Sequence, residues 1–236
     1  MELFQSIEDS FDYRINSRIE YETKVASKDT VLDVGGRNRQ SRSNKRLRQL
    51  STNPKTRIVS TDIIADYKPD FVDDICNTKI ESNSYDGVYC DAILEHVVDY
   101  TAAINNIHNI LKSNGELFIY VPFIWCFHDK TDYHRFTYAE VDRMLSIFRE
   151  YKVFLPDGNG YGGVLWLVLT LFQITKFPKI WRLLSLCANA VLSIPLTIYY
   201  TLNSERYIKL NISLKEFKFY FTHLYINHGY CGWAVK

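Results

Sequence analysis

Short apolar segments alternate with helical stretches along the first two thirds of this chain. Residues 30–34, 57–61 and 85–90 have the length and apolar character of buried strands, whereas residues 41–50 and 101–112 have helical spacing. Strands of about five residues alternating with helices of about ten are typical of a parallel sheet with helices on both faces. Ligands of such sheets bind beyond the carboxyl ends of the strands, so the loops after the strands are the first places to look for function.

The alternation continues to residue 155 and then stops. A strand over 117–121 ends at Pro122, a helix follows over 138–149, and a further strand lies near 151–155. It resumes only at the C-terminus, where residues 229–235 read as a last short strand. The pattern predicts an α/β fold: a Rossmann-like, doubly wound, mostly parallel seven-stranded sheet with an apolar helical insertion before the last strand.

Two adjacent glycines follow the first predicted strand directly. Asp33 lies near the end of that strand, and Gly35 and Gly36 lead into the next helix. Glycine lets the backbone approach a ligand closely, and the helix N-terminus presents unpaired N–H groups to it. Many strand-to-helix turns carry glycine for steric reasons alone. The glycine pair therefore indicates a ligand site only together with a second sequence feature.

The second signal is a carboxylate at the end of each of the next two strands. Asp62 follows Asp33 by 29 residues and can accept both hydroxyls of a bound ribose. Asp74 would lie near the exocyclic amine of a purine, with Ile75 packed on the ring, although Asp74 also fits an ordinary surface charge. Together these residues indicate a nucleoside-type cofactor.

These motifs resemble class I S-adenosylmethionine-dependent methyltransferases, especially the subgroup associated with bacterial surface-polysaccharide synthesis. The resemblance covers about residues 28–155 and the terminal strand. The segments that carry it are 31–36, 60–62, 73–75, 85–97, 111–117 and 128–137. The segment 85–97 is the most specific, because it joins the fourth strand to a short Leu-Glu-His portion.

The resemblance implies a set of contacts with S-adenosylmethionine. It places the first glycine turn and the end of the fourth strand beside the methionine part, the end of the second strand beside the ribose, and the end of the third beside the adenine. The cofactor-binding residues it implies are Asp33, Gly35, Gly36, Asp62, Ile63, Asp74, Ile75, Asp91 and Ala92. The family's usual Gly-x-Gly-x-Gly is reduced here to one glycine pair, so this loop must take a different path. Because the cofactor has no pyrophosphate, the shorter loop matters less than in a dinucleotide enzyme.

A segment dense in titratable groups, residues 128–137, follows the strand that ends at Pro122. Methyl transfer to oxygen requires the acceptor to lose a proton, and a histidine suits that role. We expect His128 to be the catalytic base, with His134 as the second candidate and Asp132 as an orienting group or alternative base. The alternative is that Asp132 pairs with Arg135 to fix the loop while the histidines pack. The sequence contains no cluster of metal-binding residue types at ligand spacing, so it does not predict a metal site.

The predicted insertion, residues 161–220, separates the two parts of the methyltransferase domain, residues 1–160 and 221–236. Residues 183–202 carry no charged side chain, and residues 161–236 hold eight Lys or Arg against two Asp or Glu. This composition fits an element at an anionic membrane surface, or helices packed on the domain or on a second subunit in a homodimer. A spanning hairpin is disfavoured, because its other segment, 161–175, is short and the connection carries three cations.

Two further features bear on partners and location. The basic segment between residues 37 and 48 lacks interleaved aromatic side chains, so we expect a solvated helix face and no nucleic-acid partner. The five cysteines form no Cys-x-x-Cys pair, and the N-terminus does not have the form of a signal peptide. We expect a cytoplasmic protein, peripheral on the inner face of the cytoplasmic membrane if the insertion binds lipid.

The predicted activity is S-adenosylmethionine-dependent O-methylation of a sugar or lipid-linked glycan in surface-polysaccharide synthesis. One alternative acceptor is a lipophilic small molecule such as a quinone precursor. The other alternative is a non-catalytic, membrane-associated module that keeps the fold.

Overall fold

The computed structural model describes residues 10–12, 17–125, 127–156, 194–204 and 228–236, together with single residues at 187, 191 and 214. Within these limits residues 194–202 are helical. Most of the predicted insertion, 161–220, lies outside the described residues. No helix in the described parts of the chain combines the length and apolar character needed to cross a bilayer.

The described strands form one sheet in the order β1-β7-β8-β6-β5-β2-β3-β4. Its strands are β1 (Phe11–Asp12), β2 (Thr30–Val34), β3 (Arg57–Asp62), β4 (Phe71–Val72), β5 (Tyr85–Asp91), β6 (Leu111–Pro122), β7 (Glu150–Phe154) and β8 (Gly229–Val235). Only β8 is antiparallel to its neighbours, β6 and β7. The carboxyl ends of β2, β3, β4, β5 and β6 therefore meet at one edge of the sheet, which we call the carboxyl edge.

Besides residues 194–202, four described helices connect the strands: α1 (Ser17–Ala26), α2 (Arg42–Leu50), α3 (Tyr100–Ile110) and α4 (Tyr138–Leu145). Three of them begin at a side-chain cap. Ser41 accepts a hydrogen bond from the Asn44 amide, Asp99 from that of Ala102 and Thr137 from that of Glu140. Such caps satisfy N–H groups that a helix start leaves unpaired, which is why each helix begins just after its Ser, Asp or Thr.

The helices bury apolar side chains on both faces of the sheet, because side chains alternate along each strand. On β5, for example, Val88 belongs to the cluster that includes α3 and α4, and Tyr89 to the cluster that includes α1 and α2. The predicted doubly wound α/β class is therefore confirmed. The described residues form eight strands instead of the predicted seven, because β1 is a two-residue edge strand paired with β7 and is too short to produce a periodic pattern.

Candidate active site

The first predicted strand ends at a buried carboxylate. Asp33 is 1% exposed and accepts a hydrogen bond from Ser43 Oγ at 2.9 Å. Among the described residues, Asp33 Oδ1 has no hydrogen-bond partner. Burial raises the pKa of Asp33 to about 7. The Ser43 hydroxyl and the Asn44 side-chain amide act in the opposite direction and lower this pKa, whereas the negative charge of Asp91 raises it further. The carboxylate thus keeps one buried oxygen for a ligand.

The glycine pair is required by close contacts at this turn. Gly35 has a φ of +65°, and a Cβ there would lie 2.1 Å from Ile93 Cδ1. A Cβ on Gly36 would lie 2.3 Å from the Asp33 carboxylate. Ile93 follows β5, so the glycine turn after β2 packs directly against the loop after β5. The shortened glycine loop therefore brings two adjacent strand ends into contact.

Asp62 lies at the end of β3, beside β2 in the sheet. Its side chain is 9% exposed, and Oδ1 accepts a hydrogen bond from the Ile64 amide at 2.9 Å. Within the described part of the chain, Oδ2 makes no hydrogen bond. Ile63, which follows, is 65% exposed. The strand end thus presents one available carboxylate oxygen beside an exposed apolar side chain.

At the third strand end, the predicted residues make local contacts. Asp74 caps a short 3-10 helix, Ile75–Asn77, by accepting a hydrogen bond from the Cys76 amide at 2.9 Å. Ile75 belongs to the buried core. Asp74 is partly exposed, whereas Ile75 can offer a ligand only the edge of a packed side chain.

The end of β5 carries Asp91 and Ala92. Asp91 accepts hydrogen bonds from Arg18 Nη2 at 3.2 Å and from the Tyr89 hydroxyl at 3.1 Å. Ala92 has a φ of +57°, and its amide donates to the Tyr120 carbonyl at 3.0 Å. The structure thus ties both residues to neighbouring elements in a sharp turn.

A buried charge network that sequence reasoning missed lies behind Asp91. Glu22 in α1 is fully buried and accepts hydrogen bonds from Arg18, Arg46 and Tyr89. Arg18 thus bridges Glu22 and Asp91 and joins α1 to the carboxyl edge. The only sequence signal was the i, i+4 spacing of Arg18 and Glu22 on one helix face.

The histidine segment, residues 128–137, folds around an ion pair. Arg135 forms a bidentate ion pair with Asp132, whose side chain is fully buried. The hydrogen bonds from Arg135 hold the pKa of Asp132 at about 2. Asp132 Oδ2 also lies 3.2 Å from His128 Nδ1. The pair proposed as the alternative in the sequence analysis is therefore present, and the same carboxylate orients the ring of His128.

His134 is held by the backbone. Its Nε2 lies 2.9 Å from the Val97 carbonyl, and its ring packs edge-on against Tyr100 at 4.9 Å. A carbonyl only accepts, so Nε2 carries the proton and cannot be the atom that takes one. The contact docks the histidine segment onto residues that follow β5.

Glu95 and His96 lie between β5 and the histidine segment. Glu95 is 1% exposed, and burial raises its pKa to about 8. His96 Nδ1 donates to the Thr131 carbonyl at 3.3 Å, and the His96 ring packs edge-on against that of His128 at 5.0 Å. Sequence reasoning did not single out Glu95 or His96 as a site residue, although both belong to the Leu-Glu-His portion.

The predicted site residues share one acidic edge. The charge of Asp91 raises the pKa of both Asp33 and Glu95, and the charge of Asp132 raises the pKa of Glu95 further. Such electrostatic coupling requires proximity. The structure therefore links the glycine turn, the end of β5 and the histidine segment, and such an edge favours a cationic ligand.

The strand order, with the glycine turn and the carboxylates at the strand ends, defines a Rossmann-like α/β protein. Residues 39–119 match a family model described as a methyltransferase domain. The match begins after the glycine pair and includes Asp62, Asp74 and the 85–97 segment. No curated protein matches the chain.

Several solved structures share the fold at low sequence identity. A SAM-dependent methyltransferase from Archaeoglobus fulgidus is 15% identical, with a TM-score of 0.52 and coverage of 94% of this chain and 91% of that one. The Haemonchus contortus phosphoethanolamine N-methyltransferase 2, solved with S-adenosyl-L-methionine, is 16% identical, with a TM-score of 0.52 and coverage of 93% and 52%. The cyclase SpnF is 15% identical, with a TM-score of 0.51 and coverage of 95% and 80%.

The domain match and the fold together confirm the predicted methyltransferase class: residues 39–119 match a methyltransferase domain, and the fold is shared with a SAM-dependent methyltransferase of known structure. The fold also occurs in a protein named as a cyclase, and it does not by itself specify the acceptor.

Proposed function

We propose that this S-adenosylmethionine-dependent methyltransferase methylates a hydroxyl of a sugar or lipid-linked glycan in surface-polysaccharide synthesis. The observation that carries the proposal is the His128–Asp132 contact of 3.2 Å, in a segment coupled electrostatically to the end of β5. A hydroxyl must lose its proton during methyl transfer, so it needs such an oriented group beside it.

The residues of the carboxyl edge fit the cofactor. When bound, S-adenosylmethionine supplies a methyl group activated by a positively charged sulfur. The buried Asp33 oxygen without a partner among the described residues suits the cationic methionine part, and the glycine pair leaves room for backbone contact. We assign to Asp62 Oδ2 the hydrogen bond from a ribose hydroxyl. We assign Ile63 and Asp74 to the outer wall of the same pocket.

We assign contact with the acceptor to the histidine segment. The His128 side chain is 37% exposed, so an acceptor can reach it, whereas Asp132 is buried and orients it. We assign His134 a positioning role, since its Nε2 is bonded to the Val97 carbonyl. Alignment of acceptor and methyl group supplies much of the remaining rate, about 7–11 kcal/mol in ideal cases.

A membrane surface suits a lipid-linked acceptor, and one described helix has exposed apolar side chains that could contact such a surface. Val191, Ile194, Ile198 and Leu202 follow helical spacing, and all four are exposed. The surrounding sequence, residues 161–236, is strongly basic. We infer that this face lies on an anionic bilayer. Ile198→Glu should reduce flotation with anionic vesicles, whereas Ile19→Glu, at a similarly exposed apolar position in α1, should not. Equal flotation of both variants would contradict the inference.

Cofactor binding tests the enzymatic part. Asp62→Ala should weaken binding of S-adenosylhomocysteine by about 1–3 kcal/mol in calorimetry, if Asp62 makes the ribose contact. Asp66→Ala, which removes an exposed carboxylate close by in the chain, should leave the affinity unchanged. No heat with wild-type protein would favour the non-catalytic module.

Acceptor profiling tests the substrate. With radiolabelled S-adenosylmethionine, the label should enter an O-methyl sugar when nucleotide sugars and lipid-linked glycans are supplied. Label in quinone precursors alone would identify the lipophilic small-molecule alternative.

A further inference from the structure

Three side chains with metal-ligand chemistry converge between β5 and the histidine segment. Glu95, His96 and His128 each offer one ligand atom, and the three atoms lie within 4.8 Å of one another. They come from two segments separated by more than thirty residues. Their convergence results from docking of the histidine segment, through the amides of Tyr133 and His134, on the Glu95 carbonyl.

Both histidines have an acceptor close to Nδ1. His96 Nδ1 faces the Thr131 carbonyl at 3.3 Å, and His128 Nδ1 faces the Asp132 carboxylate at 3.2 Å. A carbonyl accepts only, so His96 Nδ1 carries the proton and His96 Nε2 keeps the electron pair that a metal ion needs. The Asp132 carboxylate, paired with Arg135, lies beside Nδ1 of His128. This is the outer-shell arrangement that orients histidine ligands in metal sites.

Glu95 supplies an independent observation. The residue is 1% exposed, and its Oε2 has no hydrogen-bond partner within the described ranges. Its other oxygen, Oε1, lies 3.9 Å from His96 Nε2. A buried carboxylate oxygen without a partner is costly, and a bound cation offsets that cost.

We propose that Glu95, His96 and His128 bind a divalent transition-metal ion, with Zn²⁺ as the reference ion, and that this ion binds the acceptor hydroxyl. Two imidazoles and one carboxylate form a donor set found in catalytic zinc sites, which keep a further position open for substrate. Ligand atoms around zinc lie about 3.3–3.5 Å apart, so the most distant ligand atoms must approach by up to about 1.5 Å. The exposure of His128 permits this movement.

The inference rests on the proposed hydroxyl acceptor and changes the role of one residue. Coordination lowers the pKa of the hydroxyl, so its proton passes to water. The oxygen electron pair then forms the new bond to the methyl carbon, the carbon–sulfur bond breaks, and its electron pair stays on sulfur as a neutral thioether. His128 thus acts on the acceptor as a metal ligand and does not itself take the proton.

Zinc titration of the full chain against a chromophoric chelator tests the site. Wild-type protein should bind one equivalent of Zn²⁺. Glu95→Gln, His96→Ala and His128→Ala should each lose affinity by about 10–100-fold. His108→Ala is the matched control, because His108 lies in α3 against Phe148, outside the cluster, and its loss should leave the affinity unchanged. Circular dichroism of each variant shows whether it is folded.

The outcomes separate this inference from the proposed function. Absence of stoichiometric Zn²⁺ binding, or near wild-type affinity in any folded ligand variant, overturns the site. Calorimetry with S-adenosylhomocysteine on chelator-treated protein reports the cofactor pocket independently of the metal. A protein that binds the cofactor but not Zn²⁺, and that methylates equally well with chelator present, keeps its methyltransferase function and returns His128 to the role of a base.

Discussion

The buried carboxylate at the end of β2 should destabilise the cofactor-free protein at neutral pH. Asp33 is 1% exposed and has a folded-state pKa of about 7, against an ordinary value of 3.8. A raised carboxyl pKa means that the fold favours the protonated form. Its contribution to stability is therefore fully present below about pH 4 and is lost as the pH rises to about 7.

The magnitude follows from the pKa shift. Raising this pKa from 3.8 to about 7 corresponds to about 4 kcal/mol, at about 1.36 kcal/mol per pH unit. Asp33→Asn keeps the shape of the side chain and removes the charge, but it weakens the Ser43 hydrogen bond by about 1 kcal/mol. We therefore expect Asp33→Asn to stabilise the cofactor-free protein by about 2–3 kcal/mol at pH 8 and to change stability little at pH 4.

Urea unfolding of the cofactor-free protein at both pH values measures this effect. Asp86→Asn is the matched control, because hydrogen bonds from Thr30 and Lys112 outweigh burial and lower the pKa of Asp86. That variant should be destabilised at pH 8, opposite in sign to Asp33→Asn. The same Asp33 variant should bind S-adenosylhomocysteine more weakly. A destabilised Asp33→Asn at pH 8, or a change of equal size at both pH values, would refute the reasoning.

Two further variants test the elements that support the site. Glu22→Ala leaves Arg18 and Arg46 without their buried partner, so it should lower the free energy of unfolding by about 3–5 kcal/mol, and a loss below about 1 kcal/mol would contradict the buried network. Gly35→Ala forces a side chain into a left-handed conformation against Ile93, so it should cost at least about 1–2 kcal/mol in urea unfolding. Adding Ile93→Ala should recover part of that loss, and strict additivity of the two changes would argue against the contact.

The sequence alone determined the order of strands and helices and the acidic residues at the strand ends. Both depend on local patterns: buried strands are short apolar runs, and Asp62 and Asp74 follow such runs directly. Helix starts were equally local, because caps such as Ser41 and Thr137 act within one turn.

Only the tertiary structure decided which of these residues meet. Because β5 lies between β2 and β6 in the sheet, Ile93 reaches Gly35, and the segment after β6 docks on Glu95. The pairing of Arg18 with Asp91, 73 residues away, likewise depends on how α1 packs on the sheet. The periodicity of apolar side chains predicts which face of a strand or helix a residue occupies. Strand order determines which residues of other strands lie beside it, and no local sequence pattern predicts strand order.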